Sequence, residues 1–410
     1  MADSGKNTRW SRLQAVAVSG SSADGLLLAA VPLLAVSITT DPREVSLVNV
    51  AGQSPWLLFS LFAGVLIDRV RRTTVLAWAY AVQVGATLVL AIAGSAHLLS
   101  LPMLLVVAFA MTTAQVLSES SIGTLLPEFV EPGRLAAANA RLQVIEGGLV
   151  QFVAPPATGF LLALSAGAPA WIACLCAAAA FALTRGLRSA PITPSEAHPL
   201  RDIAAGLKYL VGTPLLRAIT VTVALGSFAA SADNSMFVLY ATQVLHTGPV
   251  GYGVLLACLA VGWVAASFVV DRVVKRLGYA WSMRIGQTSA VVFDVLIAIL
   301  PPWPVAIGAV LILTTAFALL WNVCSQSSRQ LYTPSTLLGR VLTSHRALAW
   351  GLTPLGALAG GLVAAHWHLR TVWIMGAAIH LAGALVVWRY LSPTAFRQAD
   401  ADLKDTAGQH

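Results

Sequence analysis

The sequence predicts an all-α protein that crosses a membrane twelve times, in two halves of six helices each. Three observations predict this fold. The chain of 410 residues is 57% apolar and only 10% charged, with a mean hydropathy of +0.78, whereas soluble domains carry about 25% charged residues. Apolar segments of about 20 residues, the length that spans a bilayer, recur along the whole chain. Motifs of the first half return in the second half, which indicates a duplicated unit.

The composition excludes several classes of function. No polar stretch reaches about 50 residues, the lower limit of a folded domain, so we expect no separate catalytic, nucleotide-binding or DNA-binding domain. The net charge of +8 does not indicate nucleic acid, because positive charge on a chain with many spans mainly sets its orientation. The four cysteines lie in apolar segments without a metal-binding pattern. We therefore expect no metal, no cofactor and no nucleic-acid partner.

Apolar windows bounded by charged residues, Pro or Gly define the twelve spans. The spans of the first half are predicted at 13–38, 46–67, 73–95, 101–124, 137–165 and 168–186. Those of the second half are predicted at 216–241, 251–270, 283–300, 303–323, 343–365 and 371–391. The predicted domains are a first half at 1–186, a cytoplasmic linker at 187–214, a second half at 215–392 and a cytoplasmic tail at 393–410.

The distribution of Lys and Arg predicts the side of the membrane on which each loop lies. Cytoplasmic loops of membrane proteins are enriched in these residues. With the N-terminus in the cytoplasm, all 25 Lys and Arg residues except Arg43 and Arg370 fall on the cytoplasmic side. One missed or invented span would invert every later loop. The asymmetry therefore supports twelve spans with both termini in the cytoplasm.

The linker contains an amphipathic pattern at residues 201–211. Ile203, Leu207 and Leu210 fall on one face if this segment is helical. The pattern is typical of a helix that lies along the cytoplasmic surface of the membrane. An ordinary linker turn is an equally good interpretation.

Two motifs of the first half recur at about half the chain length. The two matches are independent, and together they indicate duplication of a six-helix unit with the two halves parallel. Transporters built in this way bind their substrate between the halves, near the middle of the membrane. The first match pairs segment 64–72, which carries Asp68, Arg69, Arg71 and Arg72, with segment 267–276, which carries Asp271, Arg272, Lys275 and Arg276. The second match pairs Pro127–Arg134 with Pro334–Arg340.

These segments also carry a family resemblance. The pattern Gly64-x-Leu66-x-Asp68-Arg69-x-x-Arg72 resembles the signature loop of the major facilitator superfamily, and its echo at Asp271 lies where that family repeats it. Segments around Asn139, Gly206, Gly339 and Pro354 resemble the drug and proton antiporter branch, which contains macrolide-efflux-like and enterobactin-exporter-like proteins. The branch's fifth-span motif is present in altered form, with Pro155 and Gly159 retained. The resemblance covers residues 10–393 and implies the major facilitator fold and efflux of small molecules.

The charged loop is predicted to act as a latch between the halves. Asp68 ends a helix at the membrane surface, where its carboxylate can meet the positive end of another helix. Such contacts form only when the halves meet on the cytoplasmic side, so they would favour the outward-open state by about 1 to 3 kcal/mol. The alternative is that the basic residues only anchor the orientation. The residues assigned to this latch are Gly64, Asp68, Arg69, Arg72, Arg134, Asp271, Arg272, Lys275, Arg276 and Arg340.

Carboxylates within the spans are candidates for coupling, because each costs about 2.5 to 3.5 kcal/mol at the middle of a helix. Asp24 lies near the middle of the first span, and Asp233, followed by Asn234, lies at a roughly matching point of the seventh. No Lys or Arg lies at that depth of the membrane. Each acid is therefore expected to be protonated part of the time and to carry a proton or bind a cationic substrate. A neutral carboxyl that serves packing is the alternative.

The remaining acids within the spans lead to weaker hypotheses. Glu119 and Glu146 lie toward the cytoplasmic ends of their spans, where they can pair with Arg134 or Arg141. A structural role and a coupling role are equally good interpretations of these two. Asp294 lies near the middle of its span. The resemblance places that span on the outside of the fold, and the side chain can still face the bundle interior. His380 is interpreted as a packing histidine.

The sequence therefore favours a secondary transporter that exports an amphipathic small molecule, such as a drug, antibiotic or natural product, in exchange for protons. A proton-coupled importer of a nutrient and a non-transporting membrane scaffold are the alternatives. Enzyme function is not expected, because no nucleophile, base and orienting acid occur together. We expect a monomer in the cell membrane whose partners are its substrate, protons and the lipid bilayer.

Overall fold

The computed structural model describes residues 2–131, 135–187, 189, 199–334 and 337–407, and every regular element within them is helical. The chain divides into two compact units. The first unit consists of Met1–Glu196 and Ala241–Ala257, and the second consists of Ala197–Tyr240 and Cys258–His410.

The first unit contains seven α-helices within its described residues. Pro102 and Pro169 lie in the first turns of two of them, where the missing N–H costs no hydrogen bond. In chain order the elements are α1 (Ala2–Ile38), α2 (Pro42–Arg69), α3 (Arg72–Ser95), α4 (Leu101–Phe129), α5 (Leu135–Gly147), a π-helical segment (Gly148–Val153), α6 (Ala154–Leu164) and α7 (Ala168–Thr184).

The rest of the chain continues with nine more α-helices in the described residues. A second π-helical segment, Tyr240–Val244, follows the second of these helices, and the segment Ala241–Ala257 packs with the first unit. The helices are α8 (Pro199–Gly212), α9 (Pro214–Leu239), α10 (Pro249–Ser267), α11 (Val270–Ile299), α12 (Pro304–Leu331), α13 (Leu338–Gly351), α14 (Thr353–His366), α15 (Leu369–Tyr390) and α16 (Pro393–Ala407).

Each of the twelve predicted spans has a helical counterpart. Ten helical segments of the described chain are long and apolar enough to cross a membrane. Two shorter or partly described helices complete the set. These are α7, which has 17 residues, and α2, whose side chains from Ser60 to Arg69 lie outside the described ones.

The fifth and eleventh spans differ from the prediction because neither is a single helix. Predicted span 137–165 consists of α5, the π-helical segment and α6, and predicted span 343–365 consists of α13 and α14, which meet at Leu352. Pro155 and Pro354 lie in the first turns of α6 and α14. Proline has no N–H and clashes with the carbonyl one turn earlier, so it interrupts a continuous helix.

A short helix that the sequence did not predict precedes the ninth span. Helix α11 begins at Val270, whereas the predicted span begins at residue 283. The two parts of α11 join at Gly278, which has a φ of 72° and a ψ of 170°. This left-handed conformation favours glycine. The segment that carries Asp271 is therefore a short separate helix rather than an irregular loop.

The tail, for which no helix was predicted, forms α16. Phe396 is buried, and its ring lies 6.1 Å from that of Tyr279 and 6.0 Å from that of Tyr332. The Tyr332 hydroxyl donates a hydrogen bond to Asp400 at 2.7 Å. Burial, and then the neighbouring Asp400, raise the pKa of Tyr332, which keeps its proton on the hydroxyl. These contacts fasten the tail to the second unit.

Small residues allow the helices of each unit to pack closely. On α14, a Cβ atom added at Gly360 would lie 2.6 Å from the carbonyl oxygen of Ala232 on α9. Ser231 donates a hydrogen bond from the same face of α9 to the carbonyl of Thr353, at 2.6 Å. Close backbone approach with serine hydrogen bonds is typical of helix contacts in membranes.

Large apolar side chains lie on the outside of the helices. Leu164, Phe268 and Val305 are 79%, 74% and 87% exposed, while polar side chains such as Gln83 and Gln287 are buried. Exposed apolar side chains, with polar side chains kept in the interior, are expected of a protein whose surroundings are lipid.

Cysteine labelling tests the predicted orientation. In a variant without the four native cysteines, Ser165→Cys should react with a membrane-impermeant thiol reagent applied outside, because the predicted orientation places it in an outer loop. Ser189→Cys should react only after the cells are permeabilised. Ser165 is exposed and is preferable to Gly167, where a Cβ atom would lie 2.8 Å from the carbonyl of Ala91. The reverse labelling pattern would show that the chain is inverted.

Candidate functional site

Asp24 is a half-buried acid of the first unit with a well-defined partner. It lies on α1 and accepts a hydrogen bond from Nε2 of Gln83 on α3 at 2.8 Å. Gln83 is fully buried, and its Oε1 has no hydrogen-bond partner among the described residues. An amide N–H can donate to a carboxyl oxygen whether or not the carboxyl is ionised. This contact therefore suits a group that gains and loses a proton.

Tyr80 fills the space beside Asp24. It is 1% exposed, and its hydroxyl lies within hydrogen-bonding reach of Ser118 on α4. Gly20 lies one turn before Asp24 on α1, and a Cβ atom there would lie 2.8 Å from Cε1 of the Tyr80 ring. The absence of a side chain at Gly20 makes room for the ring. A second polar group is thereby placed near the carboxyl.

The π-helical segment Gly148–Val153 lies against α1 at Gly25, the residue after Asp24. A Cβ atom at Gly25 would lie 2.6 Å from Cβ of Ala154 and 2.8 Å from Cα of Val150. Only glycine therefore permits this contact. Single-turn π segments within helices are frequently found at functional sites. This one begins two residues after Glu146.

Glu119 and Glu146 lie in the same region as Asp24. The carboxyls of both interact electrostatically with that of Asp24. Glu119 also accepts a hydrogen bond from Nε2 of Gln115 at 2.9 Å. The three acids belong to α1, α4 and α5. Arg134, one of the two partners suggested by the sequence, lies outside the described residues.

The second unit contains a pair of carboxyls, which we call the carboxyl pair. Asp233 on α9 and Asp294 on α11 meet at Gly376 of α15. A Cβ atom at Gly376 would lie 3.0 Å from Oδ2 of Asp233 and 2.9 Å from Oδ2 of Asp294. Oδ1 of Asp233 and Oδ2 of Asp294 are buried and have no hydrogen-bond partner among the described residues. Both acids therefore lie against one point of α15.

His380 of α15 lies next to the carboxyl pair. Its Nε2 is 3.8 Å from Oδ2 of Asp294. Nε2 of Gln287 donates to the backbone carbonyl of His380 at 3.0 Å and lies 3.2 Å from Nδ1 of its ring. Because both contacts use amide hydrogens, Nδ1 is the acceptor, and the neutral ring carries its hydrogen on Nε2. That hydrogen faces Asp294.

Sequence reasoning did not find this group as a whole. It singled out Asp233, but it assigned no role to Asp294, which it placed on an outer span with a side chain that can face the bundle interior, and it interpreted His380 as a packing residue. Asn234, predicted together with Asp233, is exposed and lies outside the group. One available signal was the internal repeat, because Gln83 and Gln287 differ by 204 in residue number, close to the offset of 203 between Asp68 and Asp271.

The structure describes part of the predicted latch. Arg72 forms an ion pair with Glu128 and donates to the carbonyl of Thr124 at 3.4 Å, which joins the start of α3 to the end of α4. Lys275 lies 2.6 Å from Asp271, one turn away on the same exposed helix. The side chains of Arg272, Arg276 and Arg340 are exposed. Arg134 and the side chains of Gly64, Asp68 and Arg69 lie outside the described ones.

Pro155 and Gly159 lie at a close contact between α6 and the start of α10, both in the first unit. A Cβ atom at Gly159 would lie 2.6 Å from the carbonyl of Pro249, and one at Gly253 would lie 2.5 Å from the carbonyl of Pro155. The backbones of the two helices therefore touch. Glycine is required at both positions because there is no room for a side chain.

Comparison with known proteins agrees with this architecture. Residues 18–407 match the transmembrane secretion effector family. The chain is 25% identical over 344 residues to an uncharacterized MFS-type transporter of Sinorhizobium fredii, across 81% of this chain and 82% of the relative. It is 26% identical over 375 residues to the multidrug efflux pump Tap of Mycolicibacterium fortuitum, across 85% and 87% of the two chains.

A solved structure shows the same fold. The crystal structure of a variant of the nucleoside transporter NupG matches with a TM-score of 0.75 at 12% identity, over 93% of this chain and all of that one. At this identity the likeness shows the fold alone. It confirms the predicted all-α membrane fold of twelve transmembrane helices in two six-helix halves.

Substitution of Gly20 tests the packing around Asp24. Gly20→Ala should lower the midpoint of thermal unfolding in detergent, because the new methyl group overlaps the buried ring of Tyr80, and overpacking of this kind costs about 1–3 kcal/mol. Gly85→Ala on α3 is the matched control, since a Cβ atom there meets nothing within 4 Å. It should leave the midpoint unchanged or raise it. Equal midpoints for the two variants would contradict the described packing.

Proposed function

We propose that this chain, which belongs to the transmembrane secretion effector family of major facilitator transporters, exports an amphipathic small molecule in exchange for protons. The chain is a multi-pass membrane transporter of small molecules. The likeness to a multidrug efflux pump supports the outward direction. We place the protein in the cell membrane as a monomer, with both termini in the cytoplasm. The distribution of Lys and Arg supports this orientation.

The observation that carries the proposal is the half-buried Asp24 carboxyl with its amide donor. Among the described residues, no Lys or Arg forms an ion pair with Asp24, and the contact is with the neutral Gln83. Ionisation of such a carboxyl leaves a charge that the protein does not neutralise. A proton or a cationic substrate supplies the missing positive charge.

Glu119 and Glu146 strengthen this requirement. Like charges repel more strongly where the local dielectric constant is low, so ionised carboxyls on Glu119 and Glu146 oppose a negative charge on Asp24. A proton and a cationic substrate relieve the same repulsion. Each therefore lowers the affinity of the region for the other by a reciprocal factor. That competition is the physical basis of exchange.

The charged loop is proposed to control which side is open. Arg72 already pairs with Glu128 and so fastens the loop to its own unit. We assign the contact that forms and breaks during transport to Asp68 and the basic residues of the latch. Loss of one such charged contact shifts the balance between states without removing the substrate site.

Replacement of Asp24 tests the proposed coupling. A substrate panel on everted vesicles with an imposed proton gradient first identifies a transported compound. In proteoliposomes, Asp24→Asn should then lose proton-driven accumulation while still equilibrating an uncharged substrate, because the neutral form is fixed at nearly constant volume. Asp233→Asn should have a weaker effect of the same kind.

The control for this test is Glu131→Gln, which changes an exposed carboxyl beyond the end of α4. It should accumulate substrate as the wild type does. If Asp24→Asn and Asp233→Asn both keep the wild-type accumulation ratio, these carboxyls serve packing. Glu119→Gln and Glu146→Gln would then be the next variants to measure.

Replacement of Asp68 tests the latch. Asp68→Asn should reach the membrane in normal amount but transport at least about fivefold more slowly, as expected when a coupling of 1 to 3 kcal/mol is lost. Arg71→Ala is the control, because Arg71 is exposed and fits a role in orientation alone. Initial rates of transport, normalised to protein in the membrane, decide the question. A full rate for Asp68→Asn would remove the latch from the mechanism.

A further inference from the structure

We propose that Asp233 and Asp294 form a single proton-binding site in the second unit, in which the two carboxyls share a proton and His380, held by Gln287, is a positioning residue. The site lies entirely within the second unit. Its proton binding can be measured without transport. Only its contribution to coupling rests on the proposed function.

The geometry of the two carboxyls requires a shared positive charge. Asp294 is 5% exposed, and one oxygen of each acid is buried without a hydrogen-bond partner among the described residues. A Cβ atom added at Gly376 would lie 2.9 Å from Oδ2 of Asp294 and 3.0 Å from Oδ2 of Asp233, so both carboxyls approach the same point of α15. Two ionised carboxylates in this position would repel each other. A proton on one carboxyl removes the repulsion and provides the donor that the other carboxyl lacks.

Gln287 and His380 explain how the pair tolerates the charge that remains. Gln287 is 4% exposed and uses both amide hydrogens on His380. This arrangement leaves the hydrogen of the neutral ring on Nε2, 3.8 Å from Asp294. A small movement of either side chain closes that distance to a hydrogen bond. His380 therefore stabilises the carboxylate form of Asp294 without supplying a proton to it.

The ligand is a proton rather than a metal ion because of the chemistry of the donors. With its hydrogen on Nε2, His380 presents a donor toward the pair and cannot act as a ligand through that atom. Two carboxyls alone provide fewer ligands than a divalent cation needs. Among the described residues, no group of three or more His, Cys, Asp or Glu side chains has the geometry to hold a metal ion.

Other ionisable groups lie along α11 in both directions from the carboxyl pair. Toward the N-terminus of α15, Arg370 donates to the carbonyl of Ala298 at 3.4 Å, about 6 Å along α11 from Asp294. Tyr240 donates to the carbonyl of Ile297 at 3.2 Å in the same region. Toward the other end, Arg284 donates to the carbonyl of Trp388 at 3.0 Å, about 15 Å along α11 from Asp294.

The remaining helices that pack on these three contribute no charge at the level of the pair in their described residues. Helix α14 presents Gly356 and Gly360 to α9. Helix α12 packs Phe317 against Phe293 of α11, with ring centroids 5.7 Å apart. On α13, His345 contacts Thr220 of α9 at 3.0 Å, about 20 Å along α9 from Asp233. The pair must therefore balance its own charge.

Infrared spectroscopy of the full-length protein in liposomes tests this site directly. The stretching band of a protonated carboxyl is recorded while the pH is varied, for the wild type and for Asp233→Asn, Asp294→Asn and the exposed control Glu131→Gln. A shared proton predicts that either replacement within the pair removes or shifts the same band. The control should leave that band unchanged. His380→Gln and Gln287→Met should both move the pH at which the band titrates.

Three outcomes would overturn the proposal. The first is a set of protonated-carboxyl bands that neither Asp233→Asn nor Asp294→Asn changes. The second is loss of two different bands in the two variants, which would show independent acids. The third is loss of the band when sodium chloride replaces choline chloride at constant pH, which would show a cation site. If Asp294→Asn does not fold, Asp233→Asn and His380→Gln keep the test decisive.

Transport measurements separate this proposal from the proposed function. If the shared band is found and Asp294→Asn abolishes proton-driven accumulation, the pair takes part in coupling. If the shared band is found but exchange with protons is absent in the wild type, the proton site stands and the antiport proposal fails. If accumulation depends on Asp24 while no shared band exists, antiport stands and the pair is not a proton site.

Discussion

The hydrogen bond between Gln83 and Asp24 shows how this protein keeps carboxyl groups inside helices that are surrounded by lipid. An isolated carboxylate in such a place is costly, and a fixed Lys or Arg partner would hold it ionised permanently. A neutral amide avoids both extremes. It requires that α1 and α3 be held at a fixed separation, and Gly20 and the buried ring of Tyr80 provide that spacing.

The second unit solves the same problem differently. It places two acids together, so that each becomes the other's partner when a proton is present. Its glutamine acts on a histidine rather than on a carboxylate. In both units a glycine opens the space, Gly20 beside Tyr80 and Gly376 beside the carboxyl pair. The two units, which carry the same internal repeat, thus neutralise buried charge in different ways.

The sequence predicted the spans well because hydropathy and the side preference of Lys and Arg act along the chain, one residue at a time. It failed where a local feature interrupts a helix, as at Pro155 and Pro354, or where the left-handed Gly278 joins two helices. It also identified the acids by their depth. Depth does not give the direction in which a side chain points around the helix, so the meeting of Asp294, Asp233 and His380 was not visible. The best available signal was that Gln83 and Gln287 occupy nearly matching positions of the internal repeat. That signal identifies a site only when the side chains that they contact are known.

The docking of α16 has a consequence for the order in which the chain is made. The apolar core that contains Phe396 also contains Leu210 and Leu216 near the start of the second unit, so it joins residues that leave the ribosome at opposite ends of that unit's synthesis. The corresponding cores of the first unit draw their buried residues from Leu13 to Leu187. The first unit can therefore begin to consolidate early during translation. The core of the second unit gains Phe396 only after the helices that surround it have been made.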